Sequence, residues 1–265
     1  MIDLAIHNQV AILTLQRPQS RNSLNPAMAT ALLDHIEALE PQIPTLKGLF
    51  LRASGDHFMV GGDIQFFDQL LSQQPEPDEG RWAELEALIT TVENVCLRLR
   101  NLPFPVIAFT QGAVAGAGLS LALACDMIVA ADNARFVMAY NALGATPDGG
   151  ASFTLPERVG FGRALHMLLF NQALSAQQAL DCGLVVQVCK ADELDQQWQT
   201  MARQLASGSR QAQNAGKALL RQSATLKLEQ ALTNEKQQFL QLAQQSDFKE
   251  GVDAFLSKRP PLFKL

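Results

Sequence analysis

The sequence predicts an α/β fold: a spiral of repeated strand, turn and helix units, followed by a helical C-terminal extension. Three observations support this. The order strand, glycine-rich turn, helix recurs three times along the chain. After about residue 190 the composition shifts to Gln and Ala without a convincing strand. The chain has 265 residues, enough for one large domain, or one domain with an appendage, around a substantial core. The expected organisation is a core over residues 1–190 and a helical region over 191–265.

The first unit opens with Val10 to Leu15, an apolar run that reads as a strand, and continues into the turn-rich segment Arg17-Pro18-Gln19-Ser20-Arg21-Asn22. Pro26 then starts a helix with Met28, Leu32, Leu33 and Ile36 on one face. Leu49 to Leu51 is the next strand. It leads through Ser54-Gly55-Asp56 and the pair Gly61-Gly62 to a helical start at Ile64. The stretch from Gln73 to Gly80 is polar and Pro-rich, which predicts a mobile excursion. Pro105 to Phe109 is a third strand, Gly112 to Gly118 a turn of glycine and alanine, and Leu119 to Cys125 a helix. Met127 to Ala130 and Arg135 to Val137 read as short strands. They lead through Leu143 to Gly150 into another helix-forming stretch. In the C-terminal region, Leu228, Leu232, Phe239 and Leu242 recur at heptad-like spacing, with Glu235 as the polar break.

Composition excludes several functions. Net charge is −5 and the pI about 5.4, so no basic field draws in nucleic acid or an anionic membrane. An anionic ligand must be held by a few local cations and backbone N–H groups. Charged residues make up 18%, below the roughly 25% of ordinary soluble domains, which hints at surface covered by other subunits. The start of the chain has no basic region and no long apolar run, so no signal peptide is expected and a cytoplasmic location is. The most apolar stretch, Ala113 to Ala131, is interrupted by glycines, Ser120 and Asp126 and is not expected to span a membrane. Cys96, Cys125, Cys182 and Cys189 form no CxxC pair, and His7, His35, His57 and His166 are scattered. Reduced thiols and no metal are expected.

Two of the glycine-rich turns feed helix N-termini. Such a turn lets backbone approach a ligand closely and aims unpaired N–H groups, with the positive end of the helix dipole, at an anion. Two of them face to face would hold one oxygen between two donors, an oxyanion hole. Glycines before a helix also serve packing and capping, so each turn alone remains open to that reading.

Five segments together carry a family resemblance. His57-Phe58-Met59-Val60-Gly61-Gly62-Asp63-Ile64 resembles the first oxyanion segment of the crotonase (enoyl-CoA hydratase/isomerase) superfamily, and Gln111 through Asp126 its second. Phe136 through Pro147-Asp148-Gly149-Gly150 and Leu155-Pro156 resembles the third signature. Ser175-Ala176-Gln177-Gln178-Ala179 with Gly183-Leu184-Val185 resembles the fourth, and Glu250-Gly251 with Ala254-Phe255 and Lys258-Arg259-Pro260 the tail. The likeness runs from about Val10 to Phe263. It implies a crotonase-like spiral of ββα units, an acyl-CoA substrate with coenzyme A as part of it and no separate cofactor, and a homotrimer or dimer of trimers built on the C-terminal region.

Carried over position by position, the resemblance implies that the N–H groups of Gly62 and Ala117 grip the thioester carbonyl. Ala117 stands where the family has glycine; its N–H is retained, but its backbone must be one that alanine can reach. Val60 and Ile64, with Asp63 between them, fall along the adenine and pantetheine path. Asp63 also suits a structural role at the helix start. Arg21 and Ser23 fall near the coenzyme A phosphates. Phe255 and Lys258 match tail residues that in relatives reach a neighbouring subunit's nucleotide. Arg21 and Lys258 are equally readable as solvated cations. The walls of the acyl pocket fall between Phe66 and Leu97.

Relatives that hydrate a double bond use two glutamates, at positions held here by Ser120 and Tyr140. Neither handles a water proton as a carboxylate does. Tyr140 is expected to shape the acyl pocket. Asp148 remains, in a turn resembling that of phenylacetate-pathway isomerases and Δ3,Δ2-enoyl-CoA isomerases. A lone carboxylate suffices to move a proton from carbon 2 to carbon 4 if the enolate oxygen is stabilised. Taken without the family, Pro-Asp-Gly-Gly is also a good β-turn in which Asp148 bonds its own backbone. The expected activity is therefore an enoyl-CoA isomerase, with a hydratase, an acyl-CoA hydrolase or a C–C-cleaving enzyme as alternatives. The acidic pI argues against an RNA-binding relative.

Overall fold

The computed structural model describes residues 1–72 and 79–263. Most of the polar stretch from Gln73 to Gly80 therefore lies outside the described residues. Among those described there are nine strands: β1 (Ile2–His7), β2 (Val10–Leu15), β3 (Gly48–Ala53), β4 (Val106–Thr110), β5 (Ala113–Ala115), β6 (Met127–Ala131), β7 (Arg135–Val137), β8 (Leu174–Ser175) and β9 (Gln187–Cys189). They form two sheets. The larger has six strands in the order β1-β2-β3-β4-β6-β9, and the smaller three in the order β5-β7-β8. In the larger sheet β1 and β2 are antiparallel and every other pairing is parallel. The expected spiral of strand, turn and helix units is thus the observed α/β architecture.

The helices are α1 (Pro26–Glu37), α2 (Ile64–Ser72), α3 (Glu79–Asn101), α4 (Ala117–Ala124), α5 (Ala151–Val159), α6 (Phe161–Phe170), α7 (Ala176–Asp181), α8 (Leu194–Ser207), α9 (Arg210–Ser223), α10 (Leu228–Ala243) and α11 (Ser246–Leu256). Helix α1 begins where the sequence says it must. The Asn25 side chain accepts from the Met28 N–H at 3.0 Å, and Pro26 follows at the first helical position, where its missing N–H costs nothing. Met28, Leu32 and Ile36 are buried and Leu33 partly so.

Both faces of the central strands β2, β3, β4 and β6 are covered, which explains why they are largely continuous apolar runs, whereas the edge strand β1 stays mostly exposed. One face packs Leu13, Leu15, Leu49, Leu51, Val106 and Ala108 into the main core beneath α1, α3 and α4. On the other, Ile12, Phe50, Ile107 and Phe109 meet Leu194, Trp198, Met201, Ala202 and Leu205 of α8. So the first helix beyond residue 190 closes the sheet. Helix α9 is tied to the same body by Asp126, which accepts from Lys217 Nζ at 2.7 Å and Arg221 at 2.5 Å. Helices α10 and α11 follow, with Leu228, Leu232, Phe239, Phe255 and Leu256 exposed.

Strand β1 has no counterpart in the sequence-based expectation. Its hairpin to β2 turns on Asn8 and Gln9, both with positive φ (49° and 64°), the primed turn that suits strand twist. Asn-Gln lacks the glycine that would have signalled it. Strand β5 lies inside what the sequence reads as one glycine turn. With three residues it has no period to detect.

Candidate active site

Two backbone segments are brought edge to edge. The N–H groups of Phe58 and Met59 donate to the carbonyls of Gln111 and Ala113, and Ala115 N–H donates back to Met59. The two turns that follow these segments therefore start side by side. Gly61 (φ 106°) and Gly116 (φ 50°) stand in direct backbone contact, since a Cβ built on Gly116 would lie 3.6 Å from the Gly61 Cα. Their positive φ values are ones L side chains rarely adopt. Gly118 is equally constrained: a Cβ there would sit 2.5 Å from the Met59 carbonyl oxygen.

Gly62 and Ala117 are the next residue of each turn after this contact. Neither N–H makes a hydrogen bond among the described residues. Ala117 is the first residue of α4, and the positive φ falls on Gly116 before it. The backbone required of Ala117 is thus helical, which alanine adopts freely, so the substitution of the family's glycine carries no strain. The positive end of the α4 dipole adds to the donor field at this point. A small apolar recess beside Ala117 is lined by Leu24, Met59, Leu121 and, from α3, Val92 and Val95. The last two come from the segment where the acyl-pocket walls are expected.

Three side chains outside the expected set hold these turns. Asn22, fully buried, donates to the carbonyls of Ser54 (3.0 Å) and His57 (2.8 Å) and accepts from Arg17 N–H at 2.8 Å. His57 Nδ1 accepts from the Ala113 N–H at 3.1 Å, which fixes the remaining ring proton on Nε2 when the ring is neutral. Arg17 pairs with Asp63 at 3.0 Å, the two side chains only 14% and 12% exposed, and donates to the Ser23 carbonyl at 2.6 Å. The other Asp63 oxygen accepts from Gln65 N–H at 3.1 Å, at the start of α2. Both Asp63 oxygens are therefore engaged within the chain. No sequence pattern links residues so far apart as Arg17 and Asp63.

Asp148 lies in the loop between Tyr140 and α5. Its Oδ1 accepts from the Tyr140 hydroxyl at 2.5 Å, and the Tyr140 oxygen is 2.8 Å from Ser120 Oγ. Ser120 is one turn along α4 from Ala117, on the same side of the helix. Gly149 (φ 56°) lets the Asp148 loop press in: a Cβ there would lie 3.0 Å from Ser120 Cβ and 3.4 Å from Cys96 Sγ. Ala139, just before the tyrosine, has φ 59°, a left-handed conformation costing roughly 1 kcal/mol or more in a non-glycine residue. The β-turn expected around Asp148 is present too, with Ala151 N–H donating to its carbonyl at 3.2 Å. Asp148 thus makes the turn and also joins a side-chain network.

Burial pushes the Asp148 carboxyl above its usual range, and the Tyr140 hydrogen bond opposes this. Tyr140 is itself driven upward by burial and by the neighbouring carboxylate. The Cys96 thiol, buried close by, is pushed up to about 12 by desolvation, with smaller contributions from Asp148 and Glu93.

The remaining expected residues lie around this centre or apart from it. Val60 donates through its N–H to the Arg21 carbonyl at 3.3 Å. That brings the Arg21 segment next to the first turn, with the Arg21 side chain exposed. Ser23 is buried and Ile64 exposed. Phe255, 84% exposed, and Lys258 stand apart at the end of α11, which packs chiefly on α10. No cluster of His, Cys, Asp and Glu suited to a metal occurs among the described residues.

The family model described as enoyl-CoA hydratase/isomerase matches residues 5–265. The chain is 34% identical to 1,2-epoxyphenylacetyl-CoA isomerase of Escherichia coli, over 97% of this chain and 96% of that one. It is 35% identical to 2,3-dehydroadipyl-CoA hydratase of the same organism, over 100% and 99%. A solved enoyl-CoA hydratase from Polaromonas sp. JS666 superposes with a TM-score of 0.88 at 35% identity, covering 99% of both chains. With these matches along nearly its whole length, two abutting glycine turns and a half-buried carboxylate, the chain belongs to the enoyl-CoA hydratase/isomerase family.

Proposed function

We propose that this acyl-CoA enzyme is an isomerase that shifts the double bond of an enoyl-CoA. The observation that carries the reading is that one carboxylate, Asp148, joins the hydrogen-bonded group beside α4, where Ser120 and Tyr140 occupy the other two positions. In the proposed reaction the N–H groups of Gly62 and Ala117 bind the thioester oxygen. Asp148 takes the proton from carbon 2, the electron pair moves to that oxygen as a dienolate, and the proton returns at carbon 4. A carboxyl raised by burial is a stronger base than a solvated one, so the upward shift of Asp148 supports this role. Addition of water would ask for a second group to hold and deliver it.

Arg21 and Ser23 are proposed near the coenzyme A phosphates. Val60, Asp63 and Ile64 line its path, with Asp63 acting through α2 and Arg17, and Tyr140 bounds the acyl end. No further cofactor or metal is proposed, and no nucleic acid. The four unpaired thiols support a reducing compartment such as the cytoplasm. No helix among the described residues is long and apolar enough to cross a membrane.

The apolar cleft of about 510 Å³ between α9, α10 and α11, lined by Phe239, Phe248, Phe255 and Phe263, supports a homotrimer or dimer of trimers. There Phe255 and Lys258 would serve a neighbour's nucleotide. Light scattering at micromolar concentration is expected to give a trimer or a multiple of it; a monomer would contradict the assembly. A panel of acyl-CoA esters followed by mass spectrometry tests the activity. Isomerisation leaves the mass unchanged, hydration adds one water, and hydrolysis releases free coenzyme A.

A further inference from the structure

Tyr140 occupies a position where the sequence suggests only a pocket wall, yet its hydroxyl is the group that holds Asp148. We propose that Tyr140, oriented by Ser120, is the positioning residue for the base: it ties up Oδ1 of Asp148 and leaves Oδ2 to carry the proton between carbons 2 and 4. This rests on the assignment of Asp148 as base.

The protons along the chain can be counted. A hydroxyl has one proton to give. The Tyr140 proton goes to Asp148 Oδ1, at the short distance of 2.5 Å typical of a hydroxyl on a carboxylate. Ser120 then gives its own to the Tyr140 oxygen at 2.8 Å, in preference to the Gly116 carbonyl at 3.4 Å. The chain therefore runs in one direction, from Ser120 on α4 through Tyr140 to Asp148. It starts one helical turn from the Ala117 donor, so base and oxyanion donor are registered to the same rigid element. The only other donor near the Asp148 carboxyl is its own backbone N–H, and among the described residues no second side chain donates to it, so no side chain competes with substrate for Oδ2. Tyr140 keeps its proton throughout; the proton in transit belongs to carbon 2, then Oδ2, then carbon 4.

A ring without its hydroxyl would fill the same volume, so packing alone does not account for the tyrosine. The strained backbone at Ala139 is the kind of cost found where geometry is held for a purpose.

Tyr140→Phe and Ser120→Ala separate positioning from packing. The titratable groups facing Asp148 are Tyr140 from its own loop and Cys96 from α3; Glu93, on the exposed side of α3, acts on Cys96. Ser120 faces it from α4 through Tyr140. A hydroxyl donating to Asp148 favours the ionised form, so its loss must raise the pH at which the base loses its function. Tyr140→Phe is expected to lower kcat for 3-enoyl-CoA isomerisation roughly 10²-fold, as misplacement of a reacting group does, with KM little changed. The acid limb of kcat/KM should move to higher pH. Ser120→Ala should move it the same way by less. An unmoved acid limb, or an effect confined to KM, would overturn the proposal.

A second measurement needs neither turnover nor a folded variant of Tyr140. Tyr140 is the single tyrosine of the chain, so protein labelled with ¹³C at the tyrosine ring carbon bearing oxygen gives one resonance. That resonance is expected to titrate in acid with Asp148 and to lie flat in Asp148→Asn. A flat resonance in the wild type would overturn the positioning role. Failure of the wild type to isomerise any enoyl-CoA would instead remove the isomerase assignment, leaving the Tyr140–Asp148 coupling to be read from the resonance alone.

Discussion

Asp148→Asn is expected to cut enoyl-CoA isomerisation by roughly 10²–10⁴-fold, the usual contribution of a general base, while the protein folds and binds acyl-CoA esters. The amide keeps the shape, the turn and an acceptor for the Tyr140 hydroxyl, and loses only the proton acceptor for substrate. The same variant should be at least as stable as the wild type at neutral pH. Burial raises the Asp148 carboxyl above its unfolded value, so between the two values the native state holds more protons than the unfolded one. Stability contributed by this group is therefore complete below the unfolded value and is lost as pH rises through the folded value. At neutral pH the ionised carboxylate is a net cost that asparagine does not carry. Thermal unfolding at pH 7 should give an equal or higher Tm for the variant, with the difference fading in acid where aspartate is protonated in both states. A lower Tm at neutral pH, or wild-type turnover, would make Asp148 a turn residue.

Ala117→Pro should lower turnover by about 10²–10³-fold, the loss expected for one oxyanion donor, about 3–4 kcal/mol. The structure makes it a clean substitution. Ala117 is the first residue of α4, where proline is accommodated because its N–H is not needed by the helix, and the glycine before it tolerates the added ring. Far-UV circular dichroism should be unchanged. Gly62→Pro removes the other donor and should also cost roughly 3 kcal/mol. It is less clean, because a Cβ at Gly62 would lie 2.7 Å from the Phe67 ring. Turnover of Ala117→Pro at the wild-type rate would show that its N–H grips no oxygen.

How much of this was legible in the sequence depended on whether the cause was local. The strands Val10–Leu15 and Gly48–Ala53, buried on both faces, wrote themselves as apolar runs. The sharp turns before α2 and α4 need the positive φ of Gly61 and Gly116, so the two turns were visible in the sequence as Gly61-Gly62 and Gly116-Ala117-Gly118. Strands β8 and β9, two and three residues long, are too short to carry a pattern and exist because neighbours pair with them. The Arg17–Asp63 pair joins residues 46 positions apart and leaves no local trace. Tyr140 shows the same limit at the site itself. Its ring reads as an apolar wall from sequence, whereas its hydroxyl is committed by a loop that folds Asp148 back over it. The apolar spacing of α10 was legible, and it faces outward at Leu228, Leu232 and Phe239.

The most direct test of a single-base isomerase is to offer wild-type enzyme crotonyl-CoA and a 3-enoyl-CoA side by side and follow both by chromatography and mass spectrometry. Migration of the double bond asks for one base and a stabilised enolate oxygen, the roles proposed for Asp148 and for the N–H groups of Gly62 and Ala117. Addition of water asks also for a group that Ser120 and Tyr140 do not provide. The expected result is conversion of the 3-enoyl ester to its conjugated isomer without change of mass, faster than crotonyl-CoA gains water. Crotonyl-CoA hydrated as fast as or faster than the 3-enoyl ester isomerises would contradict it, and would place the acid–base chemistry on a group other than Asp148.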